Sequence, residues 1–155
     1  MNKQVKNISL INRILDLVHP VIRSKKSPEA SHLKTGRQGE KQAERFLKKA
    51  GYKILGRRVR CGKHDEIDLI ARCGDDTMVF VEVKTRRNEN RGRPAAAVNR
   101  DKRHKLSRAA VTFLQKRKLR PPYIRFDIIE VIEEPPEIRH IENAFQLEGG
   151  YRIWW

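Results

Sequence analysis

With 155 residues the chain is long enough for one domain whose core needs no disulfide or metal staple. It carries 35 Lys plus Arg against 19 Asp plus Glu, a formal net charge of +16, and the segment from Lys84 to Arg120 alone holds fourteen Lys or Arg against two acids. That excess points to a polyanionic partner, because neutralising phosphates releases condensed counterions, and the segment has too few large apolar residues to anchor in a membrane surface.

Cys61 and Cys73 are too few and too far apart for a zinc ribbon or a redox CxxC. They read as free thiols of a reducing cytoplasm, with a cross-strand pair as the alternative. No apolar run reaches the roughly 18 residues of a membrane span, and Asn12, Arg13 and Asp16 interrupt the apolar part of the N-terminal stretch, unlike a signal peptide. The expectation is a soluble, cytoplasmic protein. GxSxG, Walker A, HExxH and GxGxxG are all missing from the sequence.

Residues 1–34 read as an appendage in which Ile8, Ile11, Leu15 and Val18 make one helical stripe before Pro20. Ser24 to Ser31 reads as a linker. Thr35 and Gln38 form a capping-box signature for a helix that ends before Gly51, with Ala43, Phe46, Leu47 and Ala50 as its apolar stripe. Glu40 extends that stripe toward the N-terminus; it is either directed into the body of the domain or a first-turn acid favoured by the helix dipole. Tyr52 to Val59 predicts a strand bulged at Gly56, with Arg57, Arg58 and Arg60 at its end.

The next stretch, Asp65 to Lys84, holds two apolar runs around Gly74-Asp75-Asp76 and predicts a β-hairpin. A turn centred on Asp75 sets Ile70 opposite Phe80, Asp68 opposite Glu82 and Glu66 opposite Lys84. Like charges across a ladder repel at the roughly 4.5–5.5 Å of cross-strand partners, so a positive group is expected between the acids. A divalent cation held by Asp68 and Glu82, with Lys84 beside it, meets that need; a solvated strand end is the duller reading. A register displaced by one residue would put the two acids on opposite faces. Because Val79, Val81 and Val83 share one face while Met78 and Phe80 fill the other, the second hairpin strand is expected to be central and covered on both sides.

A polar loop, TRRNENRGRP, follows at the mouth of this arrangement, and Arg86, Arg87, Arg91 and Arg93 on it are candidate phosphate contacts. Pro94 suits the first turn of a helix running to about Lys118, with Val98, Leu106, Ala109, Ala110 and Phe113 buried. Lys102 falls on that stripe and either snorkels out or reaches the acids. Arg100, Arg103, His104, Lys105 and Arg108 form a basic flank. After Pro121-Pro122, Tyr123 to Ile132 predicts a fourth strand, with Asp127 as a salt-bridged structural acid. In residues 135–155, Ile138, Ile141, Ala144, Phe145 and Leu147 suggest a strand or turn packing back on the domain, and Trp154-Trp155 could cover an apolar edge, a partner or a base.

Helix, three strands, helix and strand make an α/β domain over about residues 35–134, a mixed central sheet flanked by helices. This αβββαβ order, with Asp68 on one hairpin strand and Glu82-Val83-Lys84 on the next, resembles the restriction-endonuclease-like core of the PD-(D/E)xK nuclease superfamily. More closely, GRQGEKQAERFLKKAGYKIL, EIDLIA, VFVEVKTRR, the helix containing Lys102, RFDII and HIENAF together are similar to the YraN-like family of bacterial proteins.

The resemblance implies that Asp68 and Glu82 ligate Mg²⁺ or Mn²⁺, that Lys84 orients or helps deprotonate an attacking water, and that Glu40 supports the site. With them Lys102 is a candidate catalytic residue and Glu66 a neighbour of the ligands, and Arg100, Arg103 and Lys105 join the loop arginines as nucleic-acid contacts. One departure is Asp65, where the related pattern of archaeal junction-resolving nucleases commonly has glycine; it either tunes the metal site or faces water. The implied activity is metal-dependent DNA cleavage, on branched or damaged structures, with RNA as another substrate and a homodimer as one arrangement. A non-catalytic nucleic-acid-binding protein of the same fold is the alternative.

Overall fold

The computed structural model describes residues 31–88 and 98–151, residues 31–35 in backbone only. The N-terminal stripe before Pro20, Arg91, Arg93, Pro94 and the two terminal tryptophans lie outside these residues.

Helix α1, Ser31–Lys49, leads into strands β1 (Lys53–Arg60), β2 (Glu66–Cys73) and β3 (Thr77–Arg86). Helix α2 (Arg100–Arg117), β4 (Tyr123–Ile132) and β5 (Glu137–Phe145) complete the order. The five strands lie side by side in sequence order, all neighbours antiparallel except β3 and β4, which run parallel. That single parallel pair requires a crossover, and α2 supplies it.

Helix α1 begins four residues before Thr35, so the capping-box signature lies inside the helix and not at its start. No proline lies between Pro28 and the end of the helix at Lys49, and Gly36 and Gly39 weaken a helix without removing a backbone donor. Helix α2 starts later than Pro94 implies: Asn99 is its N-cap, its side chain accepting from the Lys102 N–H at 3.0 Å. Its end, with Lys118 in the left-handed conformation, is where the apolar spacing puts it.

Two cores result from the alternation of strand side chains. On the α2 face, Ile70, Phe80, Phe126 and Ile128 pack against Leu106, Ala109, Ala110, Phe113 and Leu114. On the α1 face, Leu69, Val79, Val81, Ile129 and Val131 pack against Ala43 and Leu47. β3 is central and covered on both sides, as its continuous apolar run demands. The C-terminal stretch is a strand that closes the far edge; at that edge Asp127 is the structural acid expected of it. Buried, it accepts from Arg125 Nε and Nη2 at 2.9 Å each and from the Asn143 N–H at 2.9 Å, with His140 Nε2 at 2.8 Å. Tyr52 joins them, accepting from Arg125 Nη2 at 2.7 Å and donating to Glu142 at 3.1 Å. Cys61 and Cys73 are free thiols.

Candidate active site

The hairpin closes in the expected register: Ile70 pairs with Phe80, and the ladder runs from Cys73–Thr77 to Leu69–Val81. Gly74 at φ 62 supplies the left-handed turn residue that a side chain would resist. The ladder stops one pair short of Asp68 and Glu82. There the Asp68 carboxylate takes over, its Oδ2 accepting the Val83 N–H at 2.8 Å, where a ladder bond would otherwise form. Ile67 and Ile70, three apart, both join the core under α2, while Leu69 and Ala71 join the one under α1. The alternation of β2 therefore slips at Asp68, and strict period two does not describe this end of the sheet.

Glu82 sits on the α2 face of β3 and is 2 % exposed. Lys84 Nζ donates to its Oε1 at 2.6 Å, and Lys102 Nζ lies 3.0 Å from Oε2 without hydrogen-bond direction. Lys102 thus reaches the acids: it leaves the first turn of α2, and that turn lies over the end of β3. Two ammonium groups on one buried carboxylate compensate its lost hydration. Asp68 has no such partner. Burial, and then the neighbouring Glu82 charge, push its pKa up to about 7 against an ordinary 3.8; the Val83 N–H and Lys102 pull the other way.

Glu40 approaches from α1. Gly39 beside it is where helix and sheet touch: a Cβ there would fall 1.9 Å from Thr85 Oγ1. Burial raises the Glu40 pKa, Arg58 opposes that, and Glu66 and Glu82 add to it. Glu66 does not meet Lys84, contrary to the cross-strand expectation, because the ladder has ended. Arg58 Nε donates to it at 3.1 Å and Arg60 Nε lies at 3.4 Å. Asp65 neither faces water nor joins the acids; Arg108 holds it with two hydrogen bonds of 2.7 and 2.8 Å, fastening the hairpin entrance to α2.

The basic residues divide. Arg86 lies 3.4 Å from the buried Glu130, and Arg103 donates to Glu148 at 2.6 Å and to the Val98 carbonyl at 3.0 Å. Arg87, Arg100 and Lys105 are exposed. A cleft lined by Lys84, Thr85, Arg86, Arg87 and Asn88 opens beside the lysine end of the site. Sequence reasoning missed Arg58 and Glu130. Arg58 occupies the β1 position opposite Asp68, between the pairs Arg57–Leu69 and Val59–Ile67, which the charge run at the end of β1 hinted at. Nothing in the sequence flagged Glu130, because its burial follows from the parallel pairing of β4 with β3, which sets it beside Lys84.

The donor set fits a hard divalent cation. Two carboxylates converge at a strand end, one reluctant to ionise because it is buried beside the other's charge and one with a buried oxygen lacking a directed partner. Among the described residues no three His, Cys, Asp or Glu side chains gather tightly enough to hold a metal by themselves. Asp68 and Glu82 would therefore bind with water or substrate oxygens completing the shell, the low protein-ligand count usual for Mg²⁺.

Sheet order, the helix on each face and the acids at the β2–β3 ends define an α/β domain with a restriction-endonuclease-like core. The family model described as "Uncharacterised protein family UPF0102" matches residues 39–131. A UPF0102 protein of Syntrophus aciditrophicus is 43% identical over 121 residues, 77% of this chain and 94% of that protein. Those of Geotalea uraniireducens and Caldicellulosiruptor saccharolyticus are 46% identical over 121 and 114 residues, covering 76% and 71% of this chain and 94% and 95% of the relatives. The chain belongs to the UPF0102 family, the YraN-like family its motifs resemble. No helix among the described residues is long and apolar enough to cross a membrane.

Proposed function

We propose that this protein is a divalent-metal-dependent endonuclease of the PD-(D/E)xK type, hydrolysing phosphodiester bonds of branched or damaged DNA. The observation that carries the reading is the pairing of Asp68, its carboxyl held at about 7, with the buried Glu82 between two lysines. A phosphate-gripping surface alone gains nothing from burying acids beside its cationic track. Bound there, Mg²⁺ or Mn²⁺ would offset charge building on the phosphoryl oxygens and acidify an attacking water.

The chain's own groups have separable tasks. Asp68 and Glu82 supply the ligand oxygens, and the Val83 N–H fixes the Asp68 carboxylate. Lys84, one-third exposed and tethered to Glu82 at 2.6 Å, can orient the water from the cleft side. Lys102 neutralises the other Glu82 oxygen, and Glu40 lends negative charge from above. The exposed Arg87, Arg100 and Lys105 would track the phosphate backbone.

Cleavage of linear, nicked and four-way DNA in Mg²⁺ or Mn²⁺ tests this, with wild type compared with Asp68→Asn and Lys84→Ala. Cutting by wild type alone supports the assignment. Equal cutting by all three proteins would trace the activity elsewhere. Salt-sensitive binding without any cutting would leave a nucleic-acid-binding protein.

A further inference from the structure

Arg58 is in the wrong conformation for an ordinary strand residue. Its φ is +46, and the other non-glycine residues with positive φ among those described are Lys118, a helix C-cap, and Asn143, a residue type that tolerates the region. An arginine held there costs on the order of 1 kcal/mol, and it ends no helix.

What the twist achieves is visible in the partners. Arg57 donates to Glu44 of α1 with two bonds of 2.6 Å, and Arg58, the next residue, lies 3.9 Å from Glu40 of the same helix. Consecutive side chains of a regular strand point to opposite faces; the left-handed backbone brings the second onto the α1 side. Its guanidinium there donates to Glu66 at 3.1 Å and feels the charges of Glu66, Glu40 and Asp68. One cation, two-thirds covered yet open to solvent at one side, faces acids of two elements, Glu40 of α1 and Glu66 and Asp68 of β2.

We propose that Arg58 is the resident counter-cation of the Glu40 and Glu66 carboxylates beside Asp68 and opposes an incoming divalent ion by its charge, so that it sets the affinity of the site. This rests on the assignment of Asp68 and Glu82 as ligands. A Lys at position 58 would do the same by charge alone, whereas Asn or Gly would satisfy the backbone and leave the acids uncompensated.

Isothermal titration of the full chain with Mn²⁺ at low salt decides it. Arg58→Asn is expected to bind Mn²⁺ about tenfold tighter than wild type, the factor Coulomb's law gives for a unit and a divalent charge roughly 6 Å apart in bulk water. Arg58→Lys should return to the wild-type value, and the difference should narrow as salt screens the pair. Arg58→Gly, free of strain at this φ, carries the same comparison should the Asn variant misfold. If wild-type binding vanishes in Asp68→Asn but is equal or weaker in Arg58→Asn, Arg58 only braces Glu40 and Glu66, and the ligand assignment survives. If Mn²⁺ binds neither wild type nor Arg58→Asn, both ideas fall together.

Discussion

The raised Asp68 pKa makes an unusual forecast: removing an acid from the candidate site stabilises the metal-free protein. In the unfolded chain Asp68 releases its proton near 3.8, in the fold near 7. Between those values the native state binds the extra proton, so stability falls as pH rises through that window and stays low above it. Three units correspond to about 4 kcal/mol at pH 8, an upper value. Asp68→Asn keeps an oxygen for the Val83 N–H and never ionises. It should therefore gain up to about 4 kcal/mol at pH 8, on the order of 10 °C in Tm for a chain of this length, shrinking to about 1 kcal/mol at pH 4.5. Urea unfolding in EDTA at the two pH values measures it. Added Mn²⁺ should narrow the gap by stabilising wild type only. A variant no more stable than wild type at pH 8, or one whose gain ignores acidification, would mean that Asp68 is not the uncompensated acid described here.

Other perturbations probe the supports of the site. Lys102→Met strips one cation from the buried Glu82 and should cost about 2–3 kcal/mol in urea unfolding, largely recovered when Glu82→Gln is added. Gly39→Ala drives a Cβ onto Thr85 Oγ1; a loss of about 1–3 kcal/mol is expected, partly restored by Thr85→Ala, and an unchanged Tm would show that α1 yields freely. Asp127→Asn leaves Arg125 and His140 without their shared carboxylate at the β4–β5 edge and should cost about 3 kcal/mol, measurable as a lower urea midpoint. Glu44, held down to about 2 by Arg57, contributes only while ionised. Its partner is half exposed, so Glu44→Gln should cost less than about 1 kcal/mol at pH 7, and that small difference should fade as pH falls from the ordinary 4.5 through 2.

Much of this architecture was legible in the order of residues. Apolar runs of period two and 3.6 report burial directly, and they marked β3 as central, α2's buried stripe and the hairpin register from Cys73–Thr77 to Leu69–Val81. The resemblance carried by EIDLIA and VFVEVK added the acids as candidate ligands. Helix starts were less legible: Arg100 depends on the Asn99 cap, and Ser31 lies ahead of the periodic stripe. Asp65 also had no readable fate, since its partner Arg108 lies 43 residues on, on another element.

By itself, the sequence determined which segments are strands and helices, which faces are apolar and where positive charge collects, because these follow from local spacing. Only the tertiary structure decided that the ladder ends at Leu69–Val81 and that Asp68 bonds to the Val83 N–H. The packing likewise decided that Glu82 faces two lysines while Glu66 faces arginines, and that a left-handed Arg58 swings in among the acids. Such outcomes depend on how α1, α2 and the splayed strand ends pack together. A charge buried among distant elements is shifted by whichever neighbours packing brings near, and spacing along the chain carries no record of them.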